Sequence, residues 1–276
     1  MSYASGVRSW PIPGYWDELG YPYGPGAFEL PYSPTTIAQY GLLANRHMAQ
    51  FGTTPEQLAR VAVTCRAHAR GNPHAKYRDP LTVEDVLNSP MIADPLHRLD
   101  CCVLTESGGA IVITGADRAR NCARKPVWLT GYGECAGELW MSQKLRSDVS
   151  PGLTSARLAF EMAGVKPKDV DVAQLYDAFT ITPLIALEDM GFCKQGEAGP
   201  YVESGSVDAA GELPINTDGG GLSSNHPGRR SMFVMVEAVR QLRGESPGVQ
   251  VRDPEVSLAH GIGSIYASAA TMILTV

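Results

Sequence analysis

The chain has 276 residues, of which 44% are hydrophobic and 19% charged, so it is long enough to bury a core in one large domain or two smaller ones. The formal net charge of −6 comes without a basic tract, which argues against a nucleic-acid partner because phosphate binding needs clustered Lys and Arg. The longest apolar stretch, residues 266–276, is shorter than the roughly 20 apolar residues that cross a bilayer, so no membrane span is predicted. The N-terminal sequence lacks the basic and apolar regions of a secretion signal, which indicates a cytoplasmic location.

The cysteines form no C-x-x-C pair, and no histidine lies at zinc-ligand spacing from them. We therefore expect free thiols in a reducing compartment, no metal site and no tightly bound cofactor. The six cysteines are Cys65, Cys101, Cys102, Cys122, Cys135 and Cys193.

The N-terminal third begins irregularly and then becomes helical. Residues 1–35 are rich in Pro, Gly and aromatic residues without a helical or strand period, which predicts an irregular arm. Apolar residues then recur at helical spacing over 36–51, and Gly52 follows as a stop signal. Thr54 and Thr82 are expected to be the N-caps of a second helix and of a short third one.

Apolar strands alternate with helices from residue 109 onward, where the run 109–114 predicts a buried strand. In the helix that follows the three consecutive glycines, Phe233, Val236, Val239 and Leu242 are expected to face inward. Helices between apolar strands indicate a mostly parallel sheet that helices cover. The other predicted elements are strands at 127–130, 170–175, 213–216, 256–259 and 266–274, and helices at 151–162 and 180–190.

Three motifs of the C-terminal half are Tyr176-Asp177-Ala178-Phe179, Gly219-Gly220-Gly221-Leu222-Ser223-Ser224-Asn225-His226-Pro227-Gly228 and Ala259-His260-Gly261-Ile262-Gly263. With them the chain resembles thiolases, and most closely the sterol-carrier and lipid-transfer type. The resemblance covers nearly the whole chain and implies an α/β, thiolase-like layered fold with mostly parallel sheets covered by helices. It implies a C-terminal thiolase-like domain over 126–276 that follows a partial N-terminal half over 1–125, made of the irregular arm and a helical loop region.

The first departure from that family concerns the N-terminal half. A thiolase subunit has two copies of the half-fold, whereas the residues before Gly109 supply only the end of the first copy. In the family, the stretch that is missing here presents the nucleophilic cysteine, and none of the six cysteines stands at its place. Two explanations stay open: the chain is truncated at a late start codon, or the protein does without this element. Truncation is favoured because a sheet that lacks its central strands would expose unpaired edges.

The second departure concerns the acid or base of the reaction. In thiolases a second cysteine, which comes from one of two motifs, acts as the acid or base. The positions of this chain that match those two motifs hold His260 and Tyr176 instead of cysteine. A Tyr in that motif is similar to thiolase-related aldolases of steroid side-chain degradation, which release a short acyl-CoA by a retro-aldol step. Those aldolases replace the histidine that is kept here as His226, so the sequence is intermediate, and thiolytic and retro-aldol chemistry both stay open.

Tyr176, Asp177 and His226 are candidate site residues. Tyr176 ends an apolar strand at the carboxyl edge where open α/β sheets bind ligands, and its phenol can exchange a proton with a hydroxyl or an enolate. Asp177 is expected to begin the next helix as its N-cap. His226 precedes Pro227, which suits the first position of a helix, so a helix dipole is expected to keep a neutral imidazole that donates to a thioester oxygen. The structural alternatives are an interfacial tyrosine with a satisfied hydroxyl and a loop histidine beside a turn.

The glycine-rich turns supply the remaining candidates. Gly219 and Gly220 let backbone amides approach a ligand closely, and together with Asn225 and Asp177 they are expected to bind substrate or an oxyanion. His260 is a third catalytic candidate, although a turn between two strands needs glycines for structural reasons as well. Gly261 and Gly263, in that second turn, are further candidates for substrate or oxyanion binding.

The other basic side chains are expected to be surface or packing residues. The paired arginines at 229 and 230 are able to meet a CoA phosphate, but such pairs are commonly solvated. The remaining histidines have no partners at useful spacing in the sequence. These residues are His47, His68, His74, His97, Arg229 and Arg230.

The resemblance implies an enzyme that breaks or forms a carbon–carbon bond next to the thioester of a hydrophobic, steroid-derived acyl-CoA, with coenzyme A as part of the substrate. It also implies a homodimer and a second chain with an OB-fold domain. The alternative is a non-catalytic lipid-transfer protein or a supporting subunit that keeps the fold to bind acyl chains.

Overall fold

The computed structural model describes residues 2–4, 26–29, 35–144 and 150–276. Its N-terminal part is mainly helical, and its C-terminal part is one sheet with helices on both faces. The predicted irregular arm lies largely outside the described residues. None of the described helices is long and apolar enough to cross a membrane.

The helices and strands are numbered in chain order. The helices are α1 (Gly26–Glu29), α2 (Thr36–Phe51), α3 (Pro55–Ala69), α4 (Val83–Leu87), α5 (Ala116–Ala119), α6 (Pro151–Ala163), α7 (Ile181–Asp189), α8 (Ala198–Glu203) and α9 (Ser231–Arg243). The strands are β1 (Ser2–Ala4), β2 (Met91–Ala93), β3 (Leu96–His97), β4 (Ser107–Gly109), β5 (Trp128–Ala136), β6 (Val172–Leu175), β7 (Val256–Gly263) and β8 (Ser268–Thr275).

The helix signals of the N-terminal part are confirmed. Helix α2 ends at Gly52, which has a positive φ of 77° that glycine adopts without strain. Helix α3 begins with a capping box in which the hydroxyl of Thr54 accepts the Gln57 N–H and the Gln57 side chain accepts the Thr54 N–H. Thr82 caps α4 in the same way. These helix starts depend on neighbouring residues, which is why the sequence predicted them.

The buried strand predicted at 109–114 is wrong. Strand β4 stops at Gly109, and the side chains of Val112 and Ile113 are 91% and 84% exposed. Strand β4 pairs antiparallel with β1, and no strand of the described ranges continues that pairing beyond Gly109. An apolar, β-branched run forms a strand only where a neighbouring strand takes up its backbone hydrogen bonds.

The four strands of the C-terminal sheet lie in the order β5-β8-β7-β6. Only β6 and β7 are parallel, whereas β7–β8 and β8–β5 are antiparallel, so the expectation of a mostly parallel sheet is wrong for these strands. Strands β7 and β8 are joined by a short turn with positive φ at Ser264 and Tyr266, and a connection of that length forces an antiparallel pair. The strand predicted at 213–216 is reduced to a parallel bridge between Ile215 and Ala173.

Helices α6 and α9 cover opposite faces of this sheet. Gly131 and Gly133 of β5 face the backbone of α6, which lets the helix lie directly on the strand. On the other face, the buried apolar side chains of α9 are Val234, Ala238 and Leu242. Of the four residues predicted to face inward from this helix, Leu242 is buried, whereas Phe233, Val236 and Val239 are half-buried.

The end of β6 is fixed by a side chain from the segment between α8 and the glycine turn, because the N–H of Leu175 donates to Oδ1 of Asn216 over 2.7 Å. Leu175 also lies opposite His260 in the parallel register with β7. The next residue, Tyr176, is therefore held at the carboxyl edge of the parallel pair.

We expect Gly133→Ala to destabilise the fold by about 1–3 kcal/mol, because its Cβ would lie 2.2 Å from the Ser155 carbonyl oxygen and force α6 off the sheet. Gly115→Ala is the control, since its Cβ would meet no atom of the described residues within 4 Å. Urea unfolding of both variants measures the difference. Equal free energies of unfolding for the two variants would contradict close packing of α6 on β5.

Candidate functional site

Tyr176 and His226 come together at the carboxyl edge of β6. The N–H of Tyr176 donates to the carbonyl oxygen of His260 over 2.9 Å, which anchors the tyrosine to β7. Its ring meets the imidazole of His226 edge-on, with ring centroids 5.2 Å apart and an interplanar angle of 70°. The sequence separates these side chains by fifty positions, and the fold packs them in direct contact.

His226 is a neutral imidazole in a buried setting. Burial is the main reason that its pKa is lowered to about 4, and the positive charge of Arg230 lowers the pKa further. The backbone N–H of His226 donates to Oγ1 of Thr105 over 3.0 Å, while Nε2 of the imidazole has no hydrogen-bond partner among the described residues. The expected helix start at Pro227 is wrong, because α9 begins at Ser231. The imidazole is neutral as expected, but through burial and Arg230 rather than through a helix dipole.

Asp177 positions the glycine turn instead of capping a helix. Helix α7 starts at Ile181, so the expected N-cap role is wrong. The fully buried carboxyl group accepts the N–H of Gly221 over 2.7 Å and the N–H of Leu222 over 3.3 Å. Burial raises the pKa of Asp177 to about 7. A carboxyl group placed in this way holds the turn, and its predicted role in substrate or oxyanion binding stays a prediction.

The first glycine turn uses its small residues for internal packing. Gly219 and Gly220 have positive φ values of 100° and 66°, and the π-helical turn Gly220–Ser224 follows. The Gly219 N–H donates to the Asn216 carbonyl and the Gly220 N–H donates to Oδ1 of Asp218. A Cβ on Gly219 would lie 2.4 Å from that of Ala69 in α3. The missing side chains thus serve close packing here, and the predicted role of Gly219 and Gly220 in substrate or oxyanion binding stays a prediction.

Asn225 lies between this turn and His226. Its Oδ1 accepts a hydrogen bond from the Arg230 guanidinium over 3.2 Å, and its Nδ2 donates to Oγ of Ser224 over 3.2 Å. Both polar ends of the Asn225 side chain therefore have protein partners. Its predicted role in substrate binding stays a prediction.

The imidazole of His260 contacts β8 rather than the rings of the Tyr176–His226 pair. It lies on the α6 face, fully buried, and its Nδ1 is 2.9 Å from Oγ1 of Thr271, which in turn contacts Ser155 of α6. Burial lowers the pKa of His260 to about 4. Only its carbonyl oxygen reaches Tyr176, so the structure does not bring this third catalytic candidate to the pair.

The glycines after His260 border a cleft on the α9 face of the sheet, with a volume of about 620 Å³. Gly261 faces Ser231 at the start of α9, and Gly263 faces Ser268 of β8. In both cases a Cβ would lie within 2.6 Å of the serine hydroxyl. The two glycines keep this cleft open, and their predicted role in substrate binding stays a prediction.

Several residues of the site escaped the sequence analysis. Arg230 was expected to be solvated, yet its side chain is 1% exposed and pairs with both oxygens of Asp218 over 2.8 and 2.9 Å. Burial is the main reason that the pKa of Tyr176 is raised, and the nearby Cys102 raises it further. The sequence did contain one clue to the buried ion pair of Arg230, namely Asp218, the acidic residue directly before the three glycines.

The buried histidines also have partners that the sequence could not show. His47 lies between Thr53 and Glu188, with its Nδ1 2.8 Å from the hydroxyl and its Nε2 3.2 Å from the carboxylate. His68 Nδ1 is 2.8 Å from the carbonyl oxygen of Ile215. They are packing residues as predicted, although the expectation that they lack partners is wrong, because the partners come from distant elements.

The family model of thiolase C-terminal domain-like proteins matches residues 137–276, which include the whole of this site except Cys102 and Thr105. The chain belongs to the thiolase superfamily. The predicted family and the thiolase-like α/β fold are therefore confirmed. The boundary predicted at residue 126 stays a prediction.

Similar proteins include thiolases and aldolases. An acetyl-CoA acetyltransferase from Methanothermobacter thermautotrophicus is 36% identical over 90% of this chain and 65% of its own length. A steroid side-chain-cleaving aldolase from Thermomonospora curvata is 38% identical over 80% of this chain and 58% of its own length. The solved structure of the Ltp2-ChsH2(DUF35) aldolase is 31% identical with a TM-score of 0.83, over 99% of this chain and 70% of that one. This thiolase-superfamily chain thus spans less than two thirds of the length of each of these two curated relatives.

We expect Gly221→Ala to separate the two rings of the site, because its Cβ would lie 2.7 Å from Cδ2 of His226 and 2.9 Å from Oδ1 of Asp177. Nuclear magnetic resonance detects this as a loss of the ring-current shift that Tyr176 imposes on the imidazole protons. Gly71→Ala, whose Cβ would make only one ordinary contact at 3.7 Å, is expected to keep the shift. An unchanged shift in a folded Gly221→Ala variant would contradict the described packing.

Proposed function

We propose that this protein cleaves or forms a carbon–carbon bond next to the thioester of an acyl-CoA, by a retro-aldol or aldol step. The observation that carries the proposal is the packing of the Tyr176 phenol against an uncharged His226, whose Nε2 has no hydrogen-bond partner in the described part of the chain. The phenol of Tyr176 can exchange a proton with a hydroxyl group, and the imidazole of His226 can donate a hydrogen bond to an oxygen.

In the cleavage direction, the phenolate of Tyr176 takes the proton of the β-hydroxyl group of the acyl-CoA. The bond between Cα and Cβ then breaks, Cβ leaves as a carbonyl compound, and the electron pair of the bond becomes the enolate of the shortened thioester. His226 donates a hydrogen bond from Nε2 to the enolate oxygen, which stabilises the developing charge in a buried setting. The phenol then returns its proton to Cα, so that protons and electrons balance.

The thiols of the chain favour this chemistry over thiolytic acyl transfer. The nucleophile of acyl transfer is a thiolate, and burial raises the pKa of Cys102, the thiol beside Tyr176, well above its usual value. The pKa of the fully buried Cys65 is raised as well. The similarity to an acetyl-CoA acetyltransferase favours the transfer route as the second candidate. A covalent acyl-enzyme trapped on this protein would decide for transfer.

The substrate class and the partners rest on the similar proteins. The steroid side-chain-cleaving aldolase supports a hydrophobic, steroid-derived acyl group, with coenzyme A as part of the substrate. The Ltp2-ChsH2(DUF35) aldolase supports a second chain beside this one, for which an OB-fold domain is our expectation, and a homodimer is proposed with it. A non-catalytic supporting subunit is the remaining alternative, and absence of turnover in the wild type with its partner chain would favour it.

We expect Tyr176→Phe and His226→Ala each to lower kcat/KM for acyl-CoA cleavage by about 100-fold, since each removes one proton-transfer or oxyanion contact. Steady-state kinetics with a β-hydroxyacyl-CoA measure this loss. Tyr77→Phe is the control for loss of a phenol, because Tyr77 is exposed and stacks on Arg66. Full turnover in both site variants would refute the assignment.

We expect kcat/KM for cleavage to rise with pH between 7 and 9. Burial raises the pKa of Tyr176, so the reactive phenolate is a small fraction that grows about tenfold per pH unit below that pKa. His226, whose pKa is lowered to about 4, stays neutral throughout this range. A pH profile of the wild type and of His226→Ala should show the same rising limb. A flat profile would contradict the role of Tyr176 as the base.

A further inference from the structure

We propose that Arg230 is a positioning residue that ties the glycine turn to His226 and keeps this imidazole uncharged, so that its Nε2 acts as a hydrogen-bond donor rather than as an acid. The part of this inference that concerns turnover rests on the proposed function. The part that concerns the position and charge of His226 does not.

The guanidinium of Arg230 contacts the site at three points. It pairs with both carboxylate oxygens of Asp218, donates to Oδ1 of Asn225 over 3.2 Å, and has its Nε 3.9 Å from Oδ1 of Asp177. Its side chain is almost completely buried, and Nε has no hydrogen-bond partner among the described residues. A planar group with a fixed fork of donors can hold three such partners at once, which a lysine ammonium does less well.

Two carboxyl groups beside Arg230 connect its guanidinium to the glycine turn through hydrogen bonds. Asp218 accepts the N–H of Gly220 over 2.8 Å, and Asp177 accepts the N–H of Gly221 over 2.7 Å. Gly221 lies directly against the ring of His226, and Asn225 precedes that histidine in the chain. A shift of the guanidinium would therefore move both the surface under the imidazole and the residue before it.

The charge of Arg230 acts on the imidazole in addition to its contacts. A buried positive charge opposes protonation of His226, whereas the surrounding carboxylates would favour protonation if the guanidinium were absent. The titratable and charged groups that face Arg230, His226 or their direct partners come from several elements. They are Cys65 of α3, Cys102, Tyr176, Asp177, Asp218, and Glu237 and Arg240 of α9.

The test compares Arg230→Gln with Arg229→Gln, which removes an exposed neighbouring charge. Histidine proton resonances are followed against pH, and His226→Gln assigns the signal. We expect no titration of His226 above pH 5 in the wild type or in Arg229→Gln. In Arg230→Gln the midpoint should rise by about one pH unit or more, a tenfold or larger gain in proton affinity. An unchanged midpoint in Arg230→Gln, or an equal rise in Arg229→Gln, would overturn the proposal.

Two further measurements keep the test decisive if Arg230→Gln does not fold. A wild-type midpoint near the ordinary histidine value of about 6.5 would itself overturn the proposal. Asp218→Asn removes a negative charge that partly neutralises the guanidinium of Arg230, so the titration midpoint of His226 should not rise. A rise of that midpoint in Asp218→Asn would also overturn the proposal.

Kinetics separate this inference from the proposed function. Arg230→Lys keeps the charge but loses the forked contact, so it should keep the low midpoint of His226 and lower kcat/KM for acyl-CoA cleavage by about 10-fold. If the wild type shows no turnover but the titration midpoint of His226 rises in Arg230→Gln, the proposed function is refuted and the inference about Arg230 stands. Turnover with no shift would refute the inference alone.

Discussion

One buried guanidinium, that of Arg230, organises the charged interior of the C-terminal part. Three buried carboxyl groups surround it, from Asp177, Asp218 and Glu237, and each belongs to a different element. Burying such groups costs several kcal/mol per ion unless geometry and hydrogen bonds offset the loss of water, so the elements that carry them must meet in one arrangement. The end of β6, the glycine turn and the start of α9 are joined in this way. The active site candidate lies where the three elements meet.

The glycines of the site illustrate how one property serves different purposes. A run of glycines is often associated with ligand binding, because backbone amides without side chains can approach a phosphate or an oxyanion. Here the amides of Gly220 and Gly221 are taken by carboxyl groups of the protein, and Gly219 packs on α3. The missing Cβ atoms leave room for helix packing and for the ring of His226. The turn thus packs against the ring of His226 and against α3.

Burial determines the protonation states of Tyr176 and His226. Burial raises the pKa of Tyr176 and lowers that of His226, so both side chains are uncharged near neutral pH. A neutral imidazole suits a reaction in which charge develops on a thioester oxygen and disappears again, and cleavage starts from the small phenolate fraction of Tyr176. This is consistent with carbon–carbon bond chemistry next to a thioester, for which the superfamily membership provides the wider context.

Features that depend on near neighbours could be predicted from the sequence: the caps at Thr54 and Thr82, the stop at Gly52, and the motifs that indicated the thiolase superfamily and pointed to Tyr176 and His226. Which distant groups meet became visible in the folded structure alone. The direction of the strands, the exposure of Val112, the separation of His260 from the pair and the burial of Arg230 beside Asp218 all depend on contacts between residues far apart in the chain. Hydrogen bonds within one helix turn are visible in a local pattern, whereas the partner of a buried charge or of a strand edge is chosen by packing of the whole fold.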